Sequence, residues 1–121
     1  MKALPALLLL AGCAGTGTGW SRASDLSVYS SAHAFARMAW EQQVMCRGAD
    51  PAQASAGFER EFGARDAAVR AALIRKHGEA ALARTGTAFV PLRECGDRIG
   101  GRYRGRYVQL LRVLEIRLGL I

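Results

Sequence analysis

Apolar residues recur every three or four positions along most of the chain, which is the spacing of one face of an α-helix. A first helix is predicted from Ser24 onward, with Asp25 or Ser27 as its N-cap and Gly48 at its end. The apolar stripe of this helix contains Val28, Ala32, Phe35, Ala39 and Cys46.

Capping residues divide the middle of the chain into further helices. Asp50 to Gln53 predicts a second start, because it offers an N-cap, a proline in the first turn and a glutamine three residues later. Gly63 is expected to end this second helix. A third is predicted from Asp66 to His77 with Gly78 as its C-cap, and Glu79 to Arg84 adds a short helical turn. The residues expected to face inward are Phe58, Phe62, Val69, Ala72 and Leu73.

A last helix is predicted after Pro91, although the glycines at 100, 101 and 105 should weaken or kink it. Thr85 to Val90 contains β-forming residues but has no second run with which to pair. The apolar positions of the last helix are Leu92, Cys95, Ile99, Tyr103, Tyr107, Leu110, Leu114 and Leu118. The whole pattern predicts an all-α domain over residues 24–121, arranged as a small bundle of about four helices.

The first ten residues have a different character. Lys2 is followed by an apolar run from Ala3 to Leu10, which is far shorter than the ~20 residues of a membrane-spanning helix. A basic start, a short apolar stretch and small residues after it are typical of a secretory signal peptide.

The stretch Leu10-Ala11-Gly12-Cys13 resembles the lipobox of bacterial lipoproteins at all four positions. The resemblance covers residues 1–13 only. It implies a signal peptide over residues 1–12 and an acylated Cys13 that anchors the mature chain in a membrane. Residues 13–23 then form the lipidated end and a flexible tether, and Ala14 after the cysteine favours the outer membrane. The alternative is ordinary signal cleavage nearby, without lipid on Cys13.

The resemblance to a lipobox also bears on whether the other two cysteines form a disulfide. With Cys13 acylated, Cys46 and Cys95 remain as a pair in an oxidising compartment, which predicts a disulfide between the first and last helices. Two buried thiols or a metal site are the alternatives. A metal site is the weaker one, because there is no CxxC and neither His33 nor His77 has a ligand spacing to the cysteines.

Positive charge is concentrated in the last quarter of the chain. The formal net charge is +7, and Arg98, Arg102 and Arg106 follow one another at a spacing of four, with Arg104 nearby. We expect these arginines to contact an anionic surface, either lipid headgroups or an envelope polymer. The alternative is a solvated helix face. The stretch GRYRGRYVQLLR resembles RNA-binding segments in composition, but the export signal argues against a nucleic-acid partner.

Candidate catalytic residues are few. His33 and His77 are the only histidines, and no motif of a hydrolase, a zinc protease or a redox enzyme occurs. No cofactor or metal is predicted, and the acidic residues with arginine neighbours are interpreted as solvated ion pairs (Glu41, Glu94, Asp97, Glu115). A small hydrophobic ligand could be held by Tyr29, Phe35, Met38, Trp40 and Met45, although the same spacing fits a helical core.

The sequence therefore favours a lipid-anchored protein of the cell envelope with a non-enzymatic structural, adaptor or binding role. Two alternatives belong to other classes. One is a small envelope enzyme or accessory subunit with His33 or His77 in its site. The other is an inhibitor of a secreted enzyme, which the basic charge disfavours for a cationic target such as lysozyme.

Overall fold

The computed structural model describes residues 22–85, 95 and 97–121. Within these ranges the chain forms four α-helices and no strand, so the all-α prediction is confirmed. The helices are α1 (Asp25–Glu41), which continues through a π-helical turn (Gln42–Cys46), α2 (Pro51–His77), α3 (Glu79–Thr85) and α4 (Asp97–Arg117). The lipobox, the predicted tether up to residue 21 and residues 86–90 of the β-forming run lie outside the described residues.

The cap of α1 differs from the prediction by one position. The Ser24 hydroxyl oxygen accepts a hydrogen bond from the backbone N–H of Ser27 at 3.1 Å, so Ser24 is the N-cap and Asp25 lies in the first turn. At the other end the chain turns at Gly48, whose φ of 69° lies in the left-handed region that favours glycine.

The predicted break at Gly63 is wrong, because α2 is one helix from Pro51 to His77. It begins as expected, with the Asp50 carboxylate accepting from the backbone N–H of Gln53 at 3.0 Å. One interior glycine costs a helix about 1 kcal/mol, which burial of the apolar residues on both sides of Gly63 outweighs. These residues are Phe62, Val69 and Leu73.

Of the three long helices, α1 runs in one direction, and α2 and α4 both run in the opposite direction. Three side-chain contacts order α1 against α2 from one end to the other: Asp25 with Lys76, His33 with Asp66, and Trp40 with Ser55. Because the numbers rise on α1 as they fall on α2, the two helices are antiparallel. The pairs Asp25–Arg117 and Phe35–Tyr103 show that α4 is also antiparallel to α1.

The core lies along the axis between α1, α2 and α4, and α3 closes one end with Leu82. A cluster of three rings joins α2 to α4, with the Phe58, Phe62 and Tyr107 centroids 5.1–5.2 Å apart. The other buried apolar residues are Val28, Tyr29, Ala32, Val69, Ala72, Leu73, Leu110, Leu111 and Leu114.

The two cysteines of the domain lie at the opposite end from α3. Cys46 and Cys95 are at disulfide-bonding distance, with their Cα atoms 5.4 Å apart. Cys46 ends the π-helical turn after α1, and Cys95 lies just before α4 rather than within the last helix as predicted, so the pair lies close to the two helices that the sequence analysis expected it to join. Among the described helices, none combines the length and apolar character needed to cross a membrane.

Candidate functional site

Asp66, in the middle of α2, is the centre of a polar cluster that contacts both other long helices. Its carboxylate accepts hydrogen bonds from the Tyr29 hydroxyl at 3.4 Å and the Tyr107 hydroxyl at 3.2 Å. The His33 Nε2 atom lies 3.0 Å from Oδ1 of the same carboxylate. One side chain of α2 therefore connects α1 and α4 through the inside of the bundle.

The chemistry of this cluster suits structural hydrogen bonding. Burial, together with the negative charge of Asp66, raises the pKa of Tyr29 and of Tyr107 above the usual range for a phenol. Both hydroxyls therefore stay protonated and donate to the carboxylate, which makes them poor nucleophiles. The sequence analysis missed Asp66 as the partner of His33, because the two residues are 33 positions apart and only the antiparallel packing of α1 and α2 brings them together.

A second carboxylate that connects helices is that of Asp25, which is buried in the first turn of α1. Lys76 Nζ is 2.8 Å away, His77 Nε2 is 3.0 Å away and Arg117 Nη1 is 3.4 Å away. Burial opposes ionisation of Asp25, but the hydrogen bonds from Lys76, His77 and Arg117 outweigh it and lower its pKa to about 2. His77, one of the two candidate catalytic histidines, lies in the last turn of α2 and is thus paired with Asp25 of α1.

The interpretation of Glu41 and Glu115 as solvated is wrong, since both are buried. Glu115 is only 5% exposed, and Arg65 binds its carboxylate through Nε at 3.0 Å and Nη2 at 2.6 Å. The hydrogen bonds from Arg65 lower the pKa of Glu115 despite its burial. Sequence spacing cannot reveal this pair, because Arg65 belongs to α2 and Glu115 to α4. The side chains of Glu94 and Asp97 lie outside the described part of the chain.

A groove of about 600 Å³ runs along the outside of the α1–α2 contact. Its apolar lining is Ala36, Trp40 and Phe58, and His33 and Glu59 stand at its edges. The Trp40 indole is fixed by a hydrogen bond from Nε1 to the Ser55 hydroxyl oxygen at 3.0 Å.

Of the five residues proposed to hold a hydrophobic ligand, only Trp40 lines this groove. Tyr29 is buried in the core, and Phe35 packs against the core. Met38 is half-buried, and Met45 is 66% exposed.

The structure describes the side chains of three of the four arginines predicted to contact an anionic surface, and it separates one of them from the other two. Arg102 and Arg106 are exposed on the side of α4 that points away from the bundle. Arg104, two residues from each, faces α2, where it pairs with Glu61 and its guanidinium lies 5.3 Å from the centre of the Phe62 ring. A two-residue offset turns a side chain by about 200° around a helix, which explains the separation. The side chain of Arg98 lies outside the described part of the chain.

Arg112, which is exposed, lies on the same side of α4 as Arg102 and Arg106, whereas Arg104 does not. We define the outer face of α4 as the exposed residues Arg102, Arg106, Gln109, Arg112 and Ile116. Within the part of the chain that the structure describes, no salt bridge involves its three arginines. Glu115, on the same helix, is buried and points inward to Arg65, and the charge of Arg112 contributes with Arg65 to the lowering of its pKa.

Among the described residues, no group of three or more His, Cys, Asp or Glu side chains is arranged to hold a metal ion. Comparison with protein-family models, with curated proteins and with solved structures finds no match to this chain.

Proposed function

We propose that this protein is a lipid-anchored binding protein of the cell envelope, tethered through Cys13, that contacts an anionic envelope surface through the outer face of α4. The proposed role is non-enzymatic: the domain serves as a structural element or binds a partner at the membrane. The anchor is proposed from the lipobox resemblance and places the domain on the periplasmic side of the outer membrane. The described arginines of this face are Arg102, Arg106 and Arg112; Arg104 is left out because it pairs with Glu61, and the side chain of Arg98 lies outside the described part of the chain.

The observation that supports the binding surface is the one-sided charge of α4. Three exposed arginines share its outer face, while Glu115 is turned inward and neutralised by Arg65. Each arginine near a negatively charged membrane contributes about 1 kcal/mol of binding free energy. A lipid tether multiplies this weak attraction, because it holds the domain at high local concentration next to the surface.

Salt-dependent binding to vesicles tests the surface. Residues 22–121, which lack the anchor, should sediment with phosphatidylglycerol vesicles at low salt and be released as the salt concentration rises. They should not sediment with phosphatidylcholine vesicles. The triple variant Arg102→Gln, Arg106→Gln, Arg112→Gln should lose most of the binding.

Two controls make the test specific to one face of α4. Arg104→Gln should bind like the wild type, because Arg104 pairs with Glu61 and lies off the outer face. A matched triple variant that removes three exposed charges elsewhere (Arg60, Arg75 and Arg84 to Gln) should retain most of the binding. Equal losses in the two triple variants would show that only net charge matters and would contradict a defined surface.

A further inference from the structure

The last turn of α4 lies at the end of the bundle where the described chain begins. Arg117 Nη1 donates a hydrogen bond to the backbone carbonyl oxygen of Ala23 at 2.7 Å. It also lies 3.4 Å from the Asp25 carboxylate. The first described residues and the carboxyl end of α4 are therefore held together by contacts that span 94 and 92 positions in the sequence.

Chain geometry limits how far this end can be from a membrane that holds Cys13. Nine residues separate Cys13 from the helical domain at Ala23, and an extended chain covers at most about 3.5 Å per residue, or roughly 30 Å in all. The outer face of α4 is shorter than that, since the rise of an α-helix from Arg102 to Ile116 is about 21 Å. The whole outer face is thus within reach of the bilayer surface.

The outer face combines charge with an exposed apolar side chain at the tethered end. Ile116 is 58% exposed, one turn beyond Arg112, and its neighbour Glu115 is buried and paired with Arg65. A basic helix face with an apolar residue suits the interface of an anionic bilayer, where arginines meet headgroups and isoleucine leaves water. A soluble polyanion offers the same charge but no apolar layer for Ile116.

We infer that α4 lies flat on the anionic bilayer that carries the anchor, with its outer face toward the headgroups and Ile116 at the acyl boundary. This inference rests on the proposed function and deepens it by naming the surface and the orientation. The groove is lined by residues of α1 and α2 and by none of α4. In this orientation it is not part of the surface that contacts the membrane.

Fluorine NMR with a paramagnetic lipid tests this orientation. The full chain carries Trp20→Phe and Ile116→Trp and is labelled with 5-fluorotryptophan, so that one indole reports from position 116 and the other from Trp40 in the groove. The protein is studied with nanodiscs of phosphatidylglycerol or of phosphatidylcholine, each with and without a gadolinium-chelating lipid. In phosphatidylglycerol we expect the resonance from position 116 to broaden several-fold more than that of Trp40.

The variants and the lipid comparison decide the outcome. Arg102→Gln, Arg106→Gln, Arg112→Gln should remove the excess broadening at position 116, and the matched triple variant at positions 60, 75 and 84 should keep it. Equal broadening of the two resonances in phosphatidylglycerol, or the same pattern in both lipids, would overturn the inference. A response of α4 to added dextran sulfate without a response to anionic nanodiscs would assign the face to a polymer and also overturn it.

The proposed anchor is tested separately in the same sample. Intact mass reports whether Cys13 carries acyl chains. An unacylated chain would contradict the anchor, and the two indole resonances would still report whether α4 docks on added nanodiscs.

Discussion

Arg65 on α2 binds both carboxylate oxygens of Glu115 on α4, although the two residues are 50 positions apart and Glu115 is buried. Glu115 lies on the same side of α4 as the buried residues Tyr107, Leu110 and Leu114. With this side turned toward the bundle, the arginines at 102, 106 and 112 are left on the outside. The ion pair therefore adds to the packing that decides which charges the protein shows to its surroundings.

Removal of Arg65 should destabilise the bundle. Arg65→Met leaves Glu115 buried without its partner, which we expect to lower the free energy of unfolding by about 2 kcal/mol. The loss is smaller than for a fully enclosed pair because the Arg65 side chain is 39% exposed. Urea unfolding followed by circular dichroism measures it. The double variant Arg65→Met, Glu115→Met should recover much of the loss, and a double variant as unstable as the single one would contradict the importance of the unpaired charge.

Stability should fall in acid because of Asp25. Its pKa is lowered from 3.8 to about 2 in the folded protein, so its ionised form is stabilised by folding. The stabilisation, roughly 2 kcal/mol, is complete above pH 4 and is lost as the pH falls through about 2. Urea unfolding between pH 6 and pH 2 should show that Asp25→Asn is less stable than the wild type at pH 6 and nearly equal to it at pH 2. Glu59→Gln, at an exposed carboxylate in the interior of α2, is the control and should change stability little at either pH.

The continuity of α2 through Gly63 gives opposite expectations for two glycine variants. Gly63→Ala should raise the free energy of unfolding by up to about 1 kcal/mol, since alanine is the better helix former and the new methyl group requires only the carboxylate end of the exposed Glu59 side chain to move aside. Gly78→Ala should lower it by about 1 kcal/mol, because φ is 92° there. Thermal unfolding compares the two, and losses of similar size would contradict an unbroken α2.

The cysteine pair should be oxidised in the native host. Peptide mapping without reductant should recover Cys46 and Cys95 in one cross-linked species. Because the bond closes a loop across 49 positions, Cys46→Ser or Cys95→Ser should cost up to about 4 kcal/mol of stability. Cys13→Ser should leave the cross-link intact, and alkylation of both residues without prior reduction would refute the bond.

The anchor predicts a specific mass. Protein extracted from membranes of the native host should consist of residues 13–121 plus acyl chains. Cys13→Ser should abolish the lipid and leave the precursor unprocessed. Recovery of a soluble, unmodified chain would contradict lipidation.

Much of the secondary structure could be predicted from the sequence, because it depends on interactions between residues close together in the chain. The helical spacing of apolar residues, the Asp50–Pro51 start and the Gly78 stop depend on neighbours within one or two turns, so they are legible without a structure. The inward positions Phe62, Val69, Leu73, Tyr107, Leu110 and Leu114 are buried as the period predicts. The break predicted at Gly63 is wrong because glycine has two roles. It is common just after the end of a helix, but it is also tolerated inside a helix when the residues on both sides of it are buried in the same core.

The polar contacts required the tertiary structure. His33 with Asp66, Asp25 with Lys76 and Arg65 with Glu115 join different helices across 33 to 51 positions. Such partners depend on the order, direction and rotation of the helices, none of which is encoded by spacing within a single helix. The same rotation placed Arg104 against Glu61 and left Arg102 and Arg106 exposed. The sequence alone determined that the carboxyl-terminal helix is basic and amphipathic, and packing against α1 and α2 decided which of its charges face outward.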